Sequence, residues 1–266
     1  MSYKEYAISA MLAKFAYSDP ETLSDLWFKM RNSKRGSFSN IFKDIQEVPE
    51  FYSSDCGAQA FSIVKDGALL FVFRGTNDIK DVIIDLDIRH VSYLNGPMLV
   101  HAGFLEQFES LKLALIKTVE KYSGKVEKIL CIGHSLGGAL ATLASGHLGS
   151  LYNEKLPVTC HTFGSPRVGN KAYAEWFSKK VAFYVRITNE KDPICQMPFS
   201  HRFQHVVDAI CVKEDLTVNI VADTKWYWRV LKFKSNCCYP ALAHTCDKYI
   251  DHMVNLYKEK SLKVEV

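Results

Sequence analysis

The chain has 266 residues, 48% of them apolar and 23% charged, with a formal net charge of +4 at neutral pH. Such proportions fit one large globular domain, 1–266, with a substantial core. The charge excess is too small for a dedicated nucleic-acid binder, although it would suit an anionic lipid surface. No apolar stretch approaches the roughly 18 residues needed to span a bilayer.

Residues 3–17 place Tyr6, Ala10, Ala13 and Tyr17 at helical spacing, with Lys4, Glu5 and Lys14 toward water, which predicts an amphipathic opening helix. The run 7–13 within it is the one signal-like stretch, but Lys14 interrupts it and no cleavage site follows. The expectation is therefore a non-secreted, intracellular protein of the cytoplasm. Residues 18–56 mix Asp19-Pro20, a basic stretch at 31–35, Gly36 and Pro49, and are expected to form short helices and loops. Apolar runs 58–65 and 68–73 flank Asp66-Gly67, a two-residue hairpin signal, and predict two antiparallel strands. Residues 77–90 place Ile79, Val82, Ile83 and Leu86 on one stripe flanked by Asp78, Asp81 and Asp85, the pattern of a short amphipathic helix. Residues 106–122 repeat that pattern with Phe108, Leu111, Leu115 and Val119, ending before Gly124.

Next comes the stretch with the clearest chemistry. The apolar run 129–132 meets Gly133-His134-Ser135-Leu136-Gly137, followed by Gly138 and a small-residue helical run, 139–145. That is G-x-S-x-G between a strand and a helix: the turn strains the serine backbone and lifts its Oγ clear of the sheet, and glycines on either side let the helix lie close. Further strands are predicted at 158–163, 181–187 and 204–212, with helices at 171–178 and 243–257. Strands alternating with helices imply an α/β fold, a mostly parallel sheet with helices on both faces. Residues 214–240 give no firm pattern. Within them Trp226-Tyr227-Trp228-Arg229 and the following Lys232 and Lys234 interleave rings with cations, as a membrane interface or a buried strand with a snorkelling edge would.

A serine nucleophile at Ser135 needs a base, and the base needs a carboxylate to fix its tautomer. On such a sheet the partners follow the nucleophile in the order carboxylate, then histidine. Asp192 fits, five residues past the 181–187 strand and kept in an extended loop by Pro193; Asp208 competes but falls within the 204–212 strand run. Four histidines follow Asp192: His201, His205, His244 and His252. His244 opens the closing helix, where an imidazole can swing over the strand ends. The amide of Leu136, next to the nucleophile, is already aimed at an oxyanion. The eight cysteines need form no disulfide framework in a chain of this size, Cys131 and Cys160 read as strand-interior hydrophobes, and no C-x-x-C spacing supports zinc. No metal or other cofactor is expected.

In order, Phe73-Arg74-Gly75-Thr76, His101-Ala102-Gly103-Phe104, the elbow 133–138, 163–170 beginning Phe163-Gly164-Ser165-Pro166, Arg186 through Asp192-Pro193, and Ala243-His244 with Tyr249 resemble the class 3 lipase family over 55–257. The resemblance implies an α/β-hydrolase fold and hydrolysis of acylglycerol esters by Ser135, Asp192 and His244. It also implies that His201 is non-catalytic, that Thr76 supplies the second oxyanion donor, and that 77–90 is a lid. Phospholipid esters, small soluble esters and a catalytically silent lipase-like module are the alternatives. Beyond a lipid ester, the partner expected is a peripheral membrane or lipid-droplet surface, with no nucleic acid; the sequence leaves the oligomeric state open.

Overall fold

Side chains alternating along the central strands divide the protein's interior into two apolar layers. The computed structural model describes residues 2–22, 24–25, 48–76, 89–198, 200, 202–222 and 243–262. Among these the main sheet has eight strands: β1 (Glu50–Ser53), β2 (Gln59–Lys65), β3 (Ala68–Phe73), β6 (Lys128–His134), β7 (Val158–Phe163), β8 (Phe183–Asn189), β9 (Ala209–Val212) and β10 (Val218–Val221), in that spatial order. β4 (His90–Ser92) and β5 (Leu99–His101) form a separate antiparallel pair. The run β3-β6-β7-β8-β9 is parallel, with antiparallel β1 and β2 at one edge and β10 at the other.

On one face of the sheet lie α2 (Ala102–Tyr122), α3 (Leu136–Tyr152) and α4 (Lys171–Ser178), whose Phe108, Leu111, Leu140, Leu143, Tyr173 and Phe177 meet Leu69, Phe71, Ile129 and Cys131. On the other lie α1 (Tyr3–Phe15) and α5 (Cys246–Leu262), whose Leu12, Met11, Tyr249 and Met253 meet Leu70, Val72, Ile132 and Ile187. Leu69 and Leu70 thus belong to different cores, as period-two alternation requires. Each fully buried Leu, Met or Phe contributes ~1.5–3 kcal/mol. No helix of the described residues is long and apolar enough to cross a membrane.

Parallel strands bring their C-terminal ends to one edge, where open α/β sheets hold their ligands. Thr76 follows β3, Ser135 follows β6, Gly164 follows β7 and Asp192 follows β8. The hairpin turn predicted at Asp66-Gly67 forms with both residues at positive φ, +50° and +70°.

Several boundaries move. α2 begins at Ala102 because the His101 ring caps it, accepting from the Phe104 amide. β8 runs to Asn189, two polar residues past its last apolar one, because Thr188 and Asn189 pair with Cys211 and Val212. The expected strand 204–212 shortens to β9; Gln204 instead bridges Gly169, and Asp208 is an exposed residue ahead of the strand. α5 begins two residues after His244 and extends to Leu262. β1 was expected as helix or loop, and β10 lies in a stretch without a pattern. The expected lid helix 77–90 ends too late, since His90 is in β4, paired with His101. Ile79, Val82, Ile83 and Leu86, the aromatic stretch 226–234, His201, Cys237 and Cys238 lie outside the described residues.

Candidate active site

Ser135 joins β6 to α3 with φ +58° and ψ −129°, a strained conformation that only the surrounding packing can hold. That packing is close. A Cβ on Gly133 would lie 2.0 Å from the Gly137 carbonyl oxygen, and one on Gly137 would lie 2.2 Å from the Phe73 oxygen. The first turn of α3 therefore presses on the end of β3, which leads to Thr76. As the first residue of α3, Leu136 has an amide with no intrahelical carbonyl to bond. Leu136 and Thr76 follow neighbouring parallel strands, one residue past the elbow serine and three past β3.

Asp192 and His244 are buried, 1% and 0% exposed, and come together at the same edge. His244 Nδ1 lies 2.8 Å from Asp192 Oδ2. A carboxylate has no proton to give, so Nδ1 donates and the lone pair stays on Nε2, the tautomer a base requires. Asp192 accepts two further bonds, from the Tyr249 hydroxyl at 2.5 Å on Oδ2 and from the Ile194 amide at 2.8 Å on Oδ1. Burial pushes the Tyr249 phenol well above its usual range, so it remains a donor; its oxygen accepts the Asn189 amide. Ser135 Oγ and His244 Nε2 are both buried, and neither bonds another described residue. Such contacts commonly tighten only with substrate bound. Ser135 is tied to this pair through its neighbour His134, whose ring lies 4.7 Å from that of His244.

The rival histidines have other tasks. His205 Nε2 donates to the Cys195 carbonyl at 2.6 Å. His252 Nδ1 donates to Asn189 Oδ1 at 2.7 Å. Two contributors were not foreseen from the sequence. Gly164, at φ +61°, leaves room for the pair: a Cβ there would lie 2.9 Å from Asp192 Oδ2 and 3.0 Å from the His244 ring. A glycine directly after a central strand was the available signal. Tyr17, read as part of a helix stripe, sits past the end of α1 with its hydroxyl 2.8 Å from His134 Nδ1, a contact no local pattern announces. Cys131 and Cys160 are buried free thiols on facing strands; burial pushes both up. Among the described residues no group of three His, Cys, Asp or Glu could hold a metal.

The fold and the sequence are similar to those of known proteins. The triacylglyceride lipase of Rhizomucor miehei superposes with a TM-score of 0.70 over 83% of this chain and 84% of that one, at 24% identity, which shows the α/β-hydrolase fold. The secreted mono- and diacylglycerol lipase 1 of Fusarium solani is 33% identical over 128 residues, 45% of this chain and 38% of the relative. The chloroplastic phospholipase A(1) DAD1 of Arabidopsis thaliana is 31% identical over 112 residues, 39% of this chain and 25% of the relative. The chain thus aligns by sequence with well under half the length of the Fusarium and Arabidopsis relatives. The Fusarium comparison corrects the expectation of a cytoplasmic protein, since a secreted relative points outside the cell. The apolar run 7–13 on which that expectation rested is largely the buried face of α1 and says nothing about export. The family profile of Lipase (class 3) matches residues 70–202, half of the chain, from β3 through the elbow to the loop beyond Asp192: the chain belongs to the class 3 lipase family.

Proposed function

We propose that this chain hydrolyses carboxylic esters of lipids, acylglycerols foremost, on one α/β-hydrolase domain through an acyl-enzyme formed on Ser135. His244 Nε2 takes the Ser135 proton as Oγ attacks the ester carbonyl. The amides of Leu136 and Thr76 donate to the developing oxyanion, each worth about 3 kcal/mol by analogy with single-donor losses elsewhere. His244 then protonates the departing alcohol, and a water deacylates Ser135 by the same steps reversed. Asp192 holds the imidazole upright and balances its positive charge in the transition state.

The observation that carries this reading is the buried line Tyr249, Asp192, His244 beside the strained elbow at Ser135. The phospholipase A(1) relative favours a second ester class, phospholipids, at the same site. Purified protein assayed on short-chain esters, long-chain acylglycerols and diacyl phospholipids tests both. Fastest turnover of acylglycerols supports the first reading; fastest turnover of phospholipids replaces it with the second; turnover of none rejects both.

The segment from 77 up to β4 serves in this proposal as a lid, and 226–234 as a contact with the lipid surface. The stripe Ile79, Val82, Ile83 and Leu86 would cover the acyl groove in water and turn to lipid at an interface, where burial at ~25 cal/mol per Å² favours opening. Activity should then rise steeply once substrate forms droplets, and Ile83→Asp should blunt that rise while sparing a soluble ester. A smooth saturation curve through the solubility limit, alike in both proteins, would remove the lid.

A further inference from the structure

A general base must hold its Nε2 within roughly half an ångström of its working position. Asp192 grips His244 at one ring atom, Nδ1, and a single hydrogen bond leaves the ring free to swing about it. The backbone must supply the rest. Yet α5 does not hold that backbone: the first carbonyl it uses is that of Thr245, which accepts from Lys248 and Tyr249. The two carbonyls before it are taken by buried side chains from elsewhere. Asn189 Nδ2 donates to the Ala243 carbonyl at 2.9 Å, and His134 Nε2 donates to the His244 carbonyl at 2.6 Å.

We propose that Asn189 and His134 are positioning residues that clamp the peptide on either side of His244, with Tyr17 setting the tautomer that lets His134 do so. This rests on the reading of His244 as the base. A carbonyl only accepts, so His134 must carry its proton on Nε2, and its bare Nδ1 then accepts from the Tyr17 hydroxyl. Burial holds His134 well below the ordinary histidine range, which keeps it neutral and this tautomer intact. Asn189 is likewise fixed at both ends: its Oδ1 accepts from His252 while its backbone N–H donates to the Tyr249 hydroxyl. The clamp therefore ties the end of β8, the elbow and the opening segment of the chain to one imidazole. Tyr17 touches the oxyanion side too, since a Cβ on Gly75, the residue before Thr76, would lie 2.2 Å from its hydroxyl oxygen. One phenol thus braces both the base and the loop bearing the proposed oxyanion donor.

The test uses the whole chain with Tyr17→Phe, Asn189→Leu, His134→Leu and His134→Gln, and Ser135→Ala as the reference for lost chemistry. Two readouts are taken: kcat and KM on a soluble short-chain ester, and the far-downfield proton NMR signal of the His244 Nδ1 hydrogen shared with Asp192. Tyr17→Phe should lower kcat about tenfold and the two leucine variants on the order of 100-fold, with KM within about twofold, because misplacement of the base acts on the reacting step. Their downfield signal should broaden or vanish. His134→Gln, whose amide can still donate to the His244 carbonyl, should restore most of both. Should a leucine variant not fold, Tyr17→Phe against His134→Gln still decides the matter. Folded variants with wild-type kcat and an unchanged signal would overturn the clamp. Loss of the signal in a protein that hydrolyses no ester would uphold the clamp and reject the hydrolase reading instead.

Discussion

Replacing Gly164 by alanine puts one methyl group where the structure has none to spare. Its Cβ would lie 2.9 Å from Asp192 Oδ2 and 3.0 Å from His244 Cε1 and Nδ1, and the residue holds φ at +61°. A side chain in this left-handed region costs about 1–2 kcal/mol. Relief of the contact needs a shift of roughly half an ångström, and overpacking of this kind costs about 1–3 kcal/mol more. The sum, ~2–5 kcal/mol, corresponds to a fall in melting temperature of roughly 5–15 °C for a domain of this size. The displaced groups are the base and its carboxylate, so kcat should fall about 10- to 100-fold, with KM little changed. Two other glycines separate the causes. Gly57 also has positive φ, +81°, but nothing within 4 Å of its Cβ position, and Gly124 has neither strain nor neighbour. Gly57→Ala should therefore lose stability without losing kcat, and Gly124→Ala should lose neither. Thermal melts and initial rates on a soluble ester measure all three. A folded Gly164→Ala protein with wild-type kcat would mean that the Asp192–His244 pair is not the working one.

Tyr249→Phe removes a donor to Asp192 and leaves the Asn189 amide without its acceptor, which should cost about 1–3 kcal/mol of stability. Its kcat should drop about tenfold on a soluble ester; wild-type kcat would mean that the phenol does not support the carboxylate. His161, bonded to Ser9 on the α1 face of the sheet, is held down to about 4 from an ordinary 6.5 by burial, with Lys128 adding to the effect. The folded chain keeps it neutral while the unfolded chain takes up a proton below about pH 6.5. Its contribution is complete above that pH and lost as pH falls toward 4, a change of about 3 kcal/mol. Urea titrations of wild type and His161→Asn across pH 4–7 should differ in slope by one proton; parallel curves would show that the buried imidazole is not linked to folding.

How much of this was visible beforehand depended on how local the signal was. The elbow is local: Gly133, Gly137 and the runs around them state the turn, and β6 and α3 meet at Ser135 as read. The Asp66-Gly67 hairpin is local in the same sense. Asp192 and His244, 52 residues apart, carried weaker marks, the Pro193 loop and a late position near Tyr249, and motif order pointed to them where periodicity could not. The clamp had no local mark at all. Asn189 looked like the polar end of a strand, and Tyr17 like one more ring on a helix stripe, because their partners lie 54 and 117 residues away. Strand ends were misjudged wherever burial is polar: Thr188 and Asn189 continue β8 through main-chain pairing to β9, which an apolar pattern does not register.

The central claim, that Ser135 is the nucleophile of an ester hydrolase, is tested most directly by a fluorophosphonate probe followed by peptide mass spectrometry and ester hydrolysis, in wild type and Ser135→Ala. The account predicts a single adduct on Ser135, none in the variant, and a loss of kcat of about 10⁴ or more in a protein that melts as wild type does. An adduct on another residue, or a folded Ser135→Ala protein that still hydrolyses esters at the wild-type rate, would contradict it.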